Sequence, residues 1–223
     1  MTRALPRRRA LCACGFLVIA LGCGTTRITL PLLPPLLPAP SAAVLWTESF
    51  DERWPERWRE VEVRGKTDYE AVPLEGRRCL RAQSRAGGSI LLTAVRFNPR
   101  THPWLSWQWR VDQLVEGEAL ERKGGSDAAA RVYVFFKTKG LPWQKRSLDY
   151  VWSASLPIGA TLKSAFSSDS QIIVAESGTT HLGQWQRVAR DLREDYRRGF
   201  GGEPPEVIAI GLMSDTDNTG GAA

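Results

Sequence analysis

The stretch Leu105-Ser106-Trp107-Gln108-Trp109-Arg110-Val111-Asp112 decides the fold of this chain. Its odd positions are all apolar and its even positions all polar, which is the period of a β-strand. One face of such a strand packs on a hydrophobic core and the other meets water. The pattern therefore predicts a half-buried strand, with Trp107 and Trp109 on the buried face.

Short strand patterns recur along the chain, separated by turn-forming pairs such as Gly87-Gly88 and Asn98-Pro99. They cover residues 45–50, 58–64, 68–73, 77–82, 89–97, 130–137, 147–153, 171–176, 184–190 and 206–213. Many short strands with few helical patterns predict an all-β fold, an antiparallel β-sandwich that is jelly-roll-like.

Two segments differ from this pattern. Residues 130–136 are apolar on one face and largely aromatic on the other, so this strand is either covered on both sides or lines a ligand groove. One short helix is expected from Asp191 to about Arg198. Asp191 and Glu194 have the spacing of a capping box, and Gly199 is a suitable C-terminal stop.

The first 23 residues resemble a bacterial lipoprotein signal. Four arginines precede the apolar run 10–21, which is too short to span a bilayer, and Gly22-Cys23 follows. Lipidation of Cys23 would anchor the protein to a membrane, whereas plain secretion would follow signal cleavage alone. Both alternatives predict export, and the first predicts a periplasmic or outer-membrane lipoprotein.

Residues 24–44 form a proline-rich linker, since five prolines lie between 31 and 40. Proline lacks an amide hydrogen, so neither a helix nor an inner strand can form there. The segment is a spacer or a leader with no mechanical role. Residues 45–223 remain and are long enough for one domain with its own core.

Charge and motifs narrow the function classes. Four of the 30 basic residues lie in the signal, which leaves 26 against 24 acidic residues, a net charge of +2. This balance argues against nucleic acid as a partner. Neither histidine has a second ligand at zinc spacing, and no nucleophile elbow or phosphate loop is present. We therefore expect no catalytic residues of a familiar type.

A metal site is one interpretation of the end of the chain. An apolar strand runs into Asp215, Asp217 and Asn218, and a glycine follows. Spaced oxygen ligands of this kind suit Ca²⁺. The alternative is an ordinary turn, because Asp and Asn also bond their own backbone.

The candidate ligand-binding residues are Asp127, Arg131, Tyr150 and Trp152. Asp127 and Arg131 bracket the start of the strand at 130–137, where a structural ion pair is the alternative to ligand recognition. The nine tryptophans suggest platforms for sugar rings. We expect Trp54, Trp58 and Trp143 to be the exposed ones, because they lie near turns, although edge packing is an alternative for each.

Several segments together resemble the bacterial family known as domain of unknown function 3047. They are 105–111, 127–134, 148–152, Gly183-Gln184-Trp185, 190–201, Pro204-Pro205 and 214–220. The resemblance implies an exported domain and brings no established activity, substrate or catalytic residue.

Two departures from the family matter. Ser126 stands where a second acid is expected before Asp127. The chain stops at Ala223, where the family continues into one more aromatic-containing strand. If the chain is truncated there, the sheet edge beside 206–213 is left unpaired, and a site at Asp215 and Asp217 lacks what that strand supplies.

Three functions fit these observations. The first is a non-catalytic binding module for a glycan or other ligand of the cell envelope. The second is a structural or assembly lipoprotein that binds another envelope protein. The third is a hydrolase that uses acids such as Asp127, Asp215 and Asp217.

Overall fold

The structure is a computed structural model that describes residues 44–138 and 145–223. The predicted signal peptide at 1–23, the lipidation site Cys23 and Trp143 lie outside these residues. So does the linker at 24–44, apart from its last residue.

Eleven strands and one helix of more than one turn make up the described chain. The strands are β1 Arg59–Arg64, β2 Thr67–Leu74, β3 Arg77–Ser84, β4 Gly88–Thr93, β5 Trp104–Trp109, β6 Ala128–Phe136, β7 Arg146–Ser153, β8 Thr161–Lys163, β9 Ser170–Ser177, β10 Gln186–Asp191 and β11 Val207–Asp215. The helices are α1 Trp54–Arg57, which is a single turn, and α2 Leu192–Phe200. A 3₁₀ turn spans Lys123–Gly125.

Seven strands form one large sheet in the order β1-β4-β11-β6-β7-β9-β8. All neighbours are antiparallel except β7 and β9, which pair in parallel. Two ribbons, β2-β3 and β5-β10, complete the sheets. The prediction of an all-β sandwich with one short helix in the C-terminal half is confirmed.

The main core lies between the large sheet and the ribbons. Trp109 of β5 and Val188 of β10 pack in one cluster with Val134, Tyr150 and Trp152 of the sheet. The alternation read at 105–112 produces this arrangement, because it turns the apolar side of β5 toward the sheet. A smaller cluster on the opposite face joins Leu120, Ala128, Val151, Ile172 and Val174.

The strand expected at 45–50 is absent from the described residues, and side-chain hydrogen bonds explain why. The Glu48 carboxylate accepts from the backbone N–H of Phe50 at 2.7 Å and from Trp58 Nε1 at 2.9 Å. Phe50 itself has a φ of 52°. The local bonds of Glu48 therefore replace a strand ladder.

Helix α2 begins as predicted and ends later. The Asp191 carboxylate accepts from the backbone N–H groups of Arg193 and Glu194, which is an N-cap. The stop is Gly201, with a φ of 73°, and not Gly199. A Cβ at Gly199 would lie 2.8 Å from Cγ of Gln171, so this glycine lets the helix approach β9.

Strand β11 lies in the middle of the large sheet, between β4 and β6. The described residues therefore show no unpaired edge beside 206–213, the feature that was expected if the chain is truncated. Within residues 44–138 and 145–223, no helix is long and apolar enough to cross a membrane.

Candidate functional site

The pairing of β6 with β11 brings three carboxylates together. These strands are antiparallel, and Asp215 near the end of β11 lies opposite Ala128 at the start of β6. Asp127 directly precedes β6, so its side chain meets that of Asp215. Asp217 follows two residues later, and carboxylate oxygens of the three residues lie within 4.8 Å of one another. We call Asp127, Asp215 and Asp217 the acid cluster.

Asp127 holds the turn that follows β11. Its Oδ1 accepts from Asn218 Nδ2 at 2.7 Å, and its Oδ2 accepts from the backbone N–H of Thr219 at 2.7 Å. The backbone N–H of Asn218 lies 3.2 Å from both oxygens. Asp127 has no exposed surface. These charge-assisted bonds satisfy a buried carboxylate and order the chain from 217 to 219.

Asp215 is also buried, with 4% of its surface exposed. Its Oδ1 accepts from the backbone N–H of Ala128 at 3.1 Å, and its Oδ2 lies 3.7 Å from Nη2 of Arg131. Burial raises the pKa of Asp215 to about 7; the Arg131 guanidinium opposes this rise and Asp127 adds to it. Ionising Asp215 near neutral pH therefore costs free energy.

Asp217 is half-buried, and burial raises its pKa, with the Asp127 charge acting in the same direction. Three carboxylates this close repel one another when ionised, and a divalent cation would relieve that repulsion. The oxygens of the acid cluster suit Ca²⁺. Asn218 lies beside them, but its amide nitrogen donates to Asp127, which is the turn contact considered from the sequence.

A further buried acid, Asp149 of β7, belongs to the same face of the sheet and was missed by sequence reasoning. It is 2% exposed, its Oδ2 accepts from the Ser170 hydroxyl, and its Oδ1 has no partner among the described residues. Burial raises its pKa, and the Arg131 charge opposes the rise. The available signal was an acid inside the apolar run 148–152.

Arg131 lies between these acids. It is 5% exposed, its Nη2 donates to the Ser126 carbonyl at 3.0 Å, and its guanidinium carbon lies 5.7 Å from the centre of the Tyr133 ring. Its Nε has no partner in the described part of the chain. Arg131 is therefore a buried cation that balances part of the negative charge of Asp215 and Asp149.

Tyr150 and Trp152 lie on the opposite face of the sheet from Arg131. Both have no exposed surface and pack in the main core. Tyr150 Oη donates to Asp195 Oδ2 at 2.8 Å, and Trp152 Nε1 donates to the Gly178 carbonyl at 3.1 Å. The structure therefore does not bring these two candidates together with Asp127 and Arg131, because side chains alternate along β6 and β7.

The tryptophans expected to be exposed differ among themselves. Trp58 is buried, with 6% of its surface exposed, so that expectation is wrong; its ring packs against Trp46 and Phe50. Trp54 is half-buried and lines a groove of 390 Å³ whose charged residues are Glu60, Lys66 and Asp68. That groove thus contains both signs of charge.

Another groove, of 310 Å³, lies where β3 faces β5. It lies at the lower end of the size range of small-ligand sites. Trp107 and Trp185 contribute aromatic surface, and Nε1 of each ring is buried without a partner among the described residues. Arg77, Arg78, Arg187, Gln108 and Glu48 contribute the main polar groups. We call this site the basic groove; sequence reasoning missed it.

The described residues thus form an all-β sandwich with two candidate sites. One is the buried acid cluster where β6 meets β11, and the other is the open basic groove where β3 faces β5. The chain belongs to the family described as protein of unknown function (DUF3047), which it matches over residues 56–223. This confirms the resemblance inferred from the sequence. The match includes the acid cluster and all of the basic groove except its part at 48–50. No curated protein matches the chain.

Proposed function

We propose that this protein is an exported, non-catalytic binding module of the cell envelope that takes a glycan in the basic groove. The observation that carries the proposal is the combination in one groove of indole rings with polar side chains. Sugar rings need a flat apolar surface for their C–H faces and hydrogen-bonding groups for their hydroxyls. Trp185 supplies the first, and Gln108 with the arginines supplies the second.

A hydrolytic function has less support from the acid cluster. Asp127 and Asp215 are buried, and Asp127 is engaged by Asn218 and Thr219. A glycoside hydrolase needs its two carboxylates on either side of a bound sugar. Asp127 and Asp215 instead lie side by side in the interior, and only Asp217 of the acid cluster is half-buried.

The binding proposal is tested with the full chain in detergent. The protein is applied to immobilised neutral and acidic polysaccharides, and bound protein is measured. We expect binding to at least one polysaccharide and its loss in Trp185→Ala. Trp54→Ala is the matched control, because it removes a half-buried indole from the other groove.

Retention of binding by Trp185→Ala together with its loss in Trp54→Ala would place the ligand in the other groove. Absence of binding to every polysaccharide would overturn the proposal. Circular dichroism of both variants would establish that each still folds, so that lost binding is attributable to the missing ring.

Export and lipid attachment are part of the same proposal and depend on residues 1–23. The expected result is incorporation of labelled palmitate into the wild-type protein in a bacterial host and no incorporation into Cys23→Ala. Equal label in both proteins, or none in the wild type, would contradict lipidation of Cys23. The remaining alternatives would then be secretion without a lipid anchor or no export.

An assembly role is the second candidate. Within the described residues, β5 pairs only with β10, and β3 pairs with β2 and, at Ser84 alone, with the backbone of Ala223. The rest of one edge of β3 and one edge of β5 therefore have no strand partner there. A strand of another envelope protein could pair there. Crosslinking in cells that returns a defined protein partner, with loss of that partner in Gln108→Pro, would favour this role over glycan binding.

Calcium at the acid cluster stays a prediction. Isothermal titration of the chelator-treated protein with CaCl₂ should give heat, and CaCl₂ should raise the melting temperature in a thermal unfolding experiment. Both effects should be absent in Asp217→Asn. A melting temperature that is the same in CaCl₂ and in chelator would contradict the prediction of a calcium site.

A further inference from the structure

We infer that the basic groove is selective for anionic sugars, that is, for glycans that carry a carboxylate or phosphate. The inference rests on the proposed glycan-binding function and adds the class of ligand to it. It follows from the charges of the groove, the partners those charges already have, and the donors they keep.

Three guanidinium groups line the groove without a carboxylate to balance them. Arg77 donates to the neutral amide of Gln108, and Arg78 Nε donates to the Phe50 carbonyl at 3.2 Å. Arg187 is exposed on β10. No acid in the described part of the chain forms an ion pair with any of the three, although other arginines there, such as Arg57, Arg110 and Arg190, do pair with acids.

The one carboxylate in the groove is already neutralised. Glu48 binds Arg57 through two hydrogen bonds, of 2.8 and 3.0 Å, and accepts a third from Trp58 Nε1. Its side chain is 5% exposed. Burial raises the pKa of Glu48, but the hydrogen bonds from Arg57 and Trp58 outweigh burial and lower it. The charge of Glu48 is thus held by Arg57, outside the groove lining, and leaves the three arginines uncompensated.

The geometry suits an anion attached to a ring. The guanidinium carbon of Arg77 lies over the Trp185 ring, 5.2 Å from its centre, so a cation is stacked on part of the aromatic surface of the groove. Guanidinium groups present donors in a planar fork that matches carboxylate and phosphate oxygens. Arg77 and Arg78 each donate one hydrogen bond within the described residues and keep further N–H donors for a ligand.

The groove of 390 Å³ beside Trp54 provides the contrast within the molecule. Its one lysine, Lys66, is accompanied by two acids, Glu60 and Asp68. Its acids therefore outnumber its cation, and nothing there favours an anion. The two grooves have similar sizes, so their difference in charge is the feature that assigns the ligand class to the basic groove.

The experiment measures the affinity of the full chain for four probes, by affinity electrophoresis and by titration. Polygalacturonate carries carboxylates, and its fully methyl-esterified form has the same sugars without charge. Phosphomannan carries phosphates, and mannan is its neutral counterpart. We expect at least about tenfold tighter binding to one acidic probe than to its neutral counterpart, since charge-assisted hydrogen bonds are the strong ones.

The variants Arg187→Gln and Arg77→Gln should each weaken binding to the acidic probe by about tenfold and binding to the neutral probe by less, so that the preference for the acidic probe falls. Arg96→Gln is the control, because Arg96 is exposed and does not line the groove. It makes the same change in net charge and should change neither affinity.

The outcomes separate the two proposals. Equal binding of acidic and neutral probes would overturn the anion inference and leave glycan binding standing. Loss of acidic binding in Arg96→Gln as large as in Arg187→Gln would show an effect of net charge alone and would also overturn it. Binding to none of the four probes would overturn the inference for uronate and phosphate sugars; the wider polysaccharide screen then decides whether glycan binding itself fails.

Discussion

The acid cluster and the basic groove place charge in this molecule in opposite ways. The acid cluster buries two of its three carboxylates at the junction of β6 and β11 and engages them with backbone amides and Arg131. The basic groove leaves three guanidinium groups at the surface, where only neutral groups partner Arg77 and Arg78. Charge that is satisfied inside the fold serves the structure, whereas charge left open at a surface is available to a ligand.

The first prediction concerns the pH dependence of the acid cluster and has the largest expected effect. The pKa of Asp215 rises from an ordinary value near 3.8 to about 7 in the folded protein. Between these values the folded chain binds the proton more tightly than the unfolded chain, so stability falls as pH rises from about 4 to about 7. The fall attributable to Asp215 is at most about 4 kcal/mol and is complete above the folded pKa.

Urea unfolding of the wild type and of Asp215→Asn, from pH 4.5 to 8 in chelator, measures this difference. The variant keeps a side-chain oxygen for the N–H of Ala128 and has no charge, so its stability should vary less with pH. Asp68→Asn is the control, because Asp68 is exposed. Parallel curves for wild type and Asp215→Asn would contradict the prediction.

The second prediction tests whether Asp127 is structural. Asp127→Ala removes the acceptor of Asn218 and Thr219 and leaves their N–H groups without it. The free energy of unfolding should fall by about 3 kcal/mol, since buried donors without partners are costly. Urea unfolding at pH 7 gives the value. A change below about 0.5 kcal/mol, the size expected for Asp68→Ala, would mean that the turn after β11 does not depend on this carboxylate.

The third prediction compares the effect of salt on ligand binding in the basic groove with its effect on the stability that Asp127 of the acid cluster provides. Raising NaCl from 50 to 500 mM should weaken binding of the preferred acidic probe by about tenfold, because salt screens exposed charges much more than buried ones. The difference in stability between wild type and Asp127→Ala should change by less than about 0.5 kcal/mol over the same range. If binding were indifferent to salt, the basic groove would not act through its charge.

The smallest effect is expected for Glu48→Gln. Arg57 already pairs with the Glu48 carboxylate. Removing the Glu48 charge should therefore strengthen binding of the acidic probe by no more than about threefold. Arg187→Gln should change the same affinity more, and in the opposite direction. Titration of both variants gives the comparison. An increase of tenfold or more for Glu48→Gln would show that this carboxylate acts within the groove.

Local patterns predicted much of the fold. Period-two alternation at 105–112 matches β5, and Asp191 caps α2 as its spacing indicated. The strand predicted at 45–50 was wrong because the Glu48 side chain accepts hydrogen bonds from Phe50 and Trp58, which the alternation of apolar and polar residues does not reveal. The parallel pairing of β7 with β9 also leaves no mark on either strand, because parallel and antiparallel neighbours bury the same alternating side chains.

The sites were less accessible to sequence reasoning. Asp127 and Asp215 were named together only as acids of a hydrolase, and no local spacing in the sequence indicated that their strands pair. Tyr150 and Trp152 were grouped with Asp127 and Arg131, although their positions in β7 place both in the core. The basic groove collects side chains from four separate segments, so no local spacing could reveal it.

The sequence by itself determined that this chain folds as a β-rich sandwich of the family it resembles, since alternation, turn residues and caps act over a few neighbouring positions. Only the tertiary structure decided which charges are buried and which stay open. That outcome depends on strand order: β11 beside β6 closes the acid cluster, and β3 facing β5 leaves the basic groove. Strand order arises from contacts between distant residues, and a local pattern cannot contain it.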